Sequence, residues 1–129
     1  MTVSRPASIT TNPLRERDPE LVHRLAAFCG NVNDILADQF AAHHFQRHGL
    51  TPQHRPHDLE DLKAAAIVLR MLTKPSWNQN DFAVFDAFWR QAMCFDVLAD
   101  EFEAERHRIQ HLVQSARSDL QLQKETLWP

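Results

Sequence analysis

Residues 80–120, NDFAVFDAFWRQAMCFDVLADEFEAERHRIQHLVQSARSDL, contain neither proline nor glycine. Nothing in the run breaks a helix locally. Steps of three and four from Phe85 give Phe85, Phe88, Ala92, Phe95, Ala99, Phe102, Arg106, Ile109, Val113, Ala116 and Leu120. An apolar repeat of about 3.5 residues, interrupted only by an arginine, is the pattern of a helix lying along one partner. The stretch is expected to be one helix, about 60 Å long at ~1.5 Å per residue.

The two halves of that helix differ. Over residues 82–98, apolar side chains also occur off the repeat (Phe82, Val84, Trp89, Met93, Val97 and Leu98), which predicts a rod covered on two sides. After Glu101 the stripe narrows to the repeat itself, Leu112 apart. Phe102, Ile109, Val113, Ala116 and Leu120 are therefore the candidate partner-binding residues, to be covered by a second copy in a homodimer, by the N-terminal helix at full length or by a different protein, with a homodimer expected.

Two shorter helices precede this one. Asp18-Pro19-Glu20 is a strong start, with an N-cap aspartate and a proline at the first helical position. Leu21, Leu25, Phe28, Val32, Ile35 and Leu36 keep phase across Gly30, predicting one helix through the glycine and a stop at His48-Gly49. Asp58 caps the next helix, residues 59–73, whose face of Leu62, Ala65, Ala66, Leu69 and Leu72 is supplemented by Ile67, Val68 and Met71. A helix apolar on more than one side is the most covered of its fold. Trp77, in the linker, should pack on the helix ends, and Asn80 or Asp81 should cap the third helix. Residues 1–17 read as a flexible arm, residues 18–120 as one helical domain and residues 121–129 as a tail. The fold class is all-α: a three-helix antiparallel bundle with a long C-terminal helix.

Composition narrows the function by exclusion. Gly30 and Gly49 are the only glycines, too few for phosphate-cradling loops, dinucleotide turns or nucleophile elbows. A formal net charge of −3 supplies no field for nucleic acid or an anionic membrane. Locally, Arg106, Arg108, Arg117 and Lys124 are matched by Glu103, Glu105, Asp119 and Glu125. The longest apolar run, residues 64–69, falls far short of the ~20 residues of a membrane span, and the N-terminus has no secretory core. A cytoplasmic location is expected, with Cys29 and Cys94 as reduced, buried, small hydrophobes.

Eight histidines are the compositional oddity. His44 and His48, and His107 and His111, are spaced to share a helix face, and Glu103 lies one turn before His107. They form the alternative reading, a helical metal-binding protein or enzyme. Neither Cys-x-x-Cys nor His-Glu-x-x-His spacing supports it. Asp86 and Arg90 have the spacing of a surface ion pair. The expectation is a small non-enzymatic regulator without a cofactor, which binds another protein through apolar helix surface as antiactivators and adaptors do.

Overall fold

A computed structural model describes residues 9–47 and 59–127, with side chains at residues 9–38 and 59–122. The order of elements is β1 (Ile9–Thr11), α1 (Pro13–Arg17), α2 (Pro19–Arg47), α3 (Leu59–Leu72), β2 (Ser76–Asn78), α4 (Gln79–Ala92), α5 (Asp96–Glu101) and α6 (Arg106–Leu127). The chain is predominantly helical, as expected. Among the described residues, six helices and a two-stranded antiparallel sheet stand where three helices were predicted. The predicted stop at His48-Gly49 and the Asp58 cap lie outside the described residues.

α2 starts as its sequence dictates. The Asp18 side chain accepts the Leu21 N–H at 3.0 Å, and the helix continues through Gly30 without a break. α3 packs on both α2 and α4. It buries Leu62, Ala64, Ala65, Val68, Leu69, Met71 and Leu72, and only Ile67 among its larger apolar side chains remains exposed. The apolar surplus of this helix thus correctly marks it as the most covered one.

Residues 9–17 are not a free arm. Asn12 is fully buried: its side chain accepts the Leu14 N–H at 2.9 Å and donates to the carbonyls of Leu72 at 2.7 Å and Lys74 at 2.8 Å. It therefore caps α1 and closes the C-terminal end of α3 together. Leu14, also fully buried, anchors α1 in the core. β1 then pairs with β2 in the register Ile9↔Asn78, Thr10↔Trp77, Thr11↔Ser76. Trp77 is buried as expected, its indole N–H donating to the Met71 carbonyl at 2.9 Å.

α4 begins two or three residues earlier than predicted. Asn78 is the N-cap, and Asn78 and Asp81 form a capping box in which each side chain accepts the other's backbone N–H at 2.9 Å. Lys74 reinforces it with an ion pair to Asp81 at 2.7 Å.

The single long helix over residues 80–120 is the main correction. It is interrupted at residues 93–95 and again at residues 102–105, although neither site contains proline or glycine. The cause is tertiary. A straight rod would carry Phe95, Leu98, Phe102 and Ile109 away from α2 and α3, whereas two turns fold all four into one core with Leu25, Val68, Leu69 and Trp89. Burying each such side chain is worth roughly 1.5–3 kcal/mol, more than the few helical hydrogen bonds forgone at a turn. Arg24 of α2 holds the second turn. It pairs with Glu105 at 2.7 Å and Glu101 at 3.7 Å, and its guanidinium lies 5.0 Å from the centre of the Phe102 ring. In a continuous helix Glu101 and Glu105 would repel at i,i+4; here one cation joins them.

Candidate functional site

The five side chains expected to form a partner-facing seam belong to the core of this one chain. Phe102, Ile109, Val113, Ala116 and Leu120 are each at most 3% exposed. Phe28 meets the Phe102 ring edge-on at 5.4 Å, while α1, β1 and α4 pack on α6. A narrow apolar stripe needs one partner, and the chain supplies it from its own N-terminal segment. The homodimer inferred from an exposed seam loses that ground.

Three arginines fasten this C-terminal half to the body. Besides Arg24, Arg108 pairs with Asp18 at 2.5 Å. Arg117 pairs with Asp86 at 2.6 Å, donates to the Phe82 carbonyl at 3.2 Å and lies 5.4 Å from the centre of that ring. Asp86 thus pairs across elements with Arg117, in place of the local pairing with Arg90 expected from spacing. The Glu105 hydrogen bond, above all, raises the Arg24 pKa. Of the charges that cancel along the sequence, Glu105, Arg108 and Arg117 are matched here to Arg24 of α2, Asp18 just before α2 and Asp86 of α4.

The candidate metal ligands are dispersed. Glu103 stands in the turn at residues 102–105, and Glu103, His107 and His111 are all exposed. Among the described residues no three histidine, cysteine or acidic side chains gather to hold a metal ion. His44 lies on α2 with its side chain outside the described set, and His48 lies outside the described residues altogether.

The cysteines are free, and they are not alike. Cys29 is half-buried on α2, and burial raises its pKa against the smaller opposing effects of Arg70 and the Asn33 hydrogen bond. Cys94 corrects the expectation of burial: it is exposed in the turn after α4, its thiol donating to the Arg90 carbonyl at 3.4 Å.

One open groove lies between the N-terminal segment and α6. It has a volume of about 330 Å³ and is lined by Ile9, Thr10, Thr11, Pro13, Glu16 and Arg17 on one wall, and by Leu112, Ser115, Ala116 and Asp119 on the other. Because Asp18 is held on Arg108 at the start of α6, the chain traced back from Arg17 to Ile9 runs toward the later turns of α6. Ile9, 55% exposed, ends one wall. Leu122, 58% exposed, follows the lining residue Asp119 by three residues on α6. These two are the most exposed large apolar side chains among the described residues. Of the groove residues the repeat singled out Ala116 alone, and none of those on the N-terminal wall was singled out by motif or repeat. A three-residue strand is too short to show a period, and its partner strand lies more than sixty residues away in sequence.

No helix among the described residues is long and apolar enough to cross a membrane. No family model, curated protein or solved structure matches this chain.

Proposed function

We propose that the chain is a small, non-enzymatic, cytoplasmic helical regulator that acts by binding another protein, as an antiactivator or adaptor does, and that it binds at the rim formed by β1, α1 and α6. The observation that supports this reading is the open groove with the exposed Ile9 on one wall. Leaving such a side chain in water gains the fold nothing, and covering the part still exposed is worth roughly 1 kcal/mol. Protein-binding surfaces combine apolar anchors with a polar surround, and Thr10, Glu16, Arg17, Ser115 and Asp119 supply the polar part. The binding surface is thus moved from the seam residues to the rim beside them.

The test compares proteins retained from native cytoplasm by the wild-type chain and by Ser115→Phe, which stands a ring in the groove from a partly exposed position on α6. The variant is expected to melt like wild type and to lose the specifically retained proteins. Identical sets retained by both chains would refute the reading.

A further inference from the structure

We infer that the chain exchanges α6 with a second copy of itself: the turn at residues 102–105 opens into continuous helix, and each α6 docks on β1, α1 and α4 of the other copy. The inference is independent of what binds in the groove.

The turn has no local cause. The 3.5-residue repeat keeps phase through it at Ala99, Phe102, Arg106 and Ile109, and Glu103, Ala104 and Glu105 all favour helix. Nor does the main chain hold the turn closed. The Glu105 N–H donates to the Phe102 carbonyl at 3.1 Å, but among the described residues the amides of Glu103, Ala104, Arg106, His107 and Arg108 donate to no main-chain carbonyl. In a continuous helix each of the five would meet the carbonyl four residues before it. Side-chain contacts with α2 close the turn, above all the pair of Arg24 with Glu105 at 2.7 Å.

The second turn is the hinge, and the first is not. Opening residues 93–95 would draw the buried Phe95, Leu98 and Phe102 out of the core. Opening residues 103–105 leaves α5 where it is, because the Phe102 N–H already donates to the Leu98 carbonyl in helical fashion at 3.1 Å. Ile109, Leu112, Val113, Ala116 and Leu120 then leave together, and the same surface of the second copy buries them again. Arg108 pairs with Asp18, and Arg117 with Asp86, across the two copies as they do within one. Exchange of an identical element is for this reason a low-cost route to a dimer. It rebuilds the groove twice, with one wall from each copy.

Concentration sets the balance. A connection as short as residues 103–105 gives α6 an effective concentration of about millimolar for its own chain. The wild-type chain therefore stays monomeric at micromolar concentration, forms the exchanged dimer when refolded at about millimolar, and returns to monomer on dilution. Glu105→Gln removes the pair with Arg24 and also the repulsion by Glu101 that a continuous helix would carry at i,i+4. Two hinges per dimer, each contributing about threefold, lower the dimer dissociation constant about tenfold. Arg106→Pro acts in the opposite direction. At the exposed first position of α6, where the amide has no main-chain partner, proline is tolerated, whereas inside a continuous helix it is not.

The experiment refolds wild type, Glu105→Gln and Arg106→Pro from urea over a range of concentrations, measures mass by size-exclusion chromatography with light scattering, and records isotope-filtered NMR spectra of dimer refolded from labelled and unlabelled copies. Wild type is expected to dimerise at the highest concentrations and Glu105→Gln at about tenfold lower ones, while Arg106→Pro remains a monomer with the wild-type circular dichroism spectrum. Contacts of α6 with β1 and α1 are expected between labelled and unlabelled copies. A Glu105→Gln chain that stays monomeric throughout the range would overturn the inference, as would a dimer whose α6 contacts β1 and α1 only within one copy. Equal dimerisation of a folded Arg106→Pro chain would do the same; should that variant not fold, the labelled-copy spectrum decides alone.

Discussion

Asn12 shows how much one polar side chain can carry in a small helical fold. Its amide spans the N-terminus of α1 and the end of α3, and its removal strands the Leu72 carbonyl and the Leu14 N–H in a dry site. Asn12→Ala is expected to cost about 2–3 kcal/mol in denaturant unfolding, the combined loss of a cap and a buried acceptor's partner. The residue was legible in principle: Asn12-Pro13 repeats the Asx-Pro start of Asp18-Pro19 six residues later, but it is set in a polar flank where only Leu14 marks a core. The cysteines give a second test at this scale. Exposure favours Cys94, and burial holds the Cys29 pKa above its ordinary value, so less of Cys29 is thiolate at any pH near 8. Thiol titration of the native protein is expected to show a fast phase that Cys94→Ser removes, leaving a slow one.

At the scale of elements, the former seam becomes a stability determinant. Val113 is fully buried whereas Phe88 is half-buried, so a carboxylate at the first position meets no water and at the second meets some. Val113→Asp is expected to cost more than about 4 kcal/mol and leave the chain largely unfolded, with Phe88→Asp the milder change; circular dichroism during urea titration reads the difference. The ordering is the reverse of that expected for a protruding coiled-coil edge. α2 offers an opposite lever. Gly30 sits inside a continuous helix, with nothing within 4 Å of where an added Cβ would lie. Gly30→Ala is expected to stabilise by up to about 1 kcal/mol, seen as a higher melting temperature, since a freer unfolded backbone is lost without a clash.

For the molecule as a whole, the N-terminal segment acts as the second partner that the C-terminal half requires. β1 and α1 pack on α6, Asp18 fixes Arg108, and Asn12 ties the same segment to α3. One chain thus covers its own stripe. Light scattering is expected to find a monomer at micromolar concentration, and a dimer that persists on dilution would show that some other apolar surface drives association. The groove beside Ile9 remains the surface proposed here for a different protein.

Helix content, the Asp18-Pro19 start, the passage of α2 through Gly30 and the central place of α3 were all determined by the sequence itself. Each depends on neighbours within one or two turns: a cap, a proline, a repeat of apolar positions. The same repeat also identified correctly which residues of 80–120 are apolar enough to be buried, Phe102, Ile109, Val113, Ala116 and Leu120 among them. It left open what buries them. The breaks at residues 93–95 and 102–105, the cross-element pairs of Arg24, Arg108 and Arg117, and the β1 edge beside α6 were decided only in the tertiary structure. They depend on groups tens of residues apart, whose gain in burial and pairing outweighs a local preference for unbroken helix.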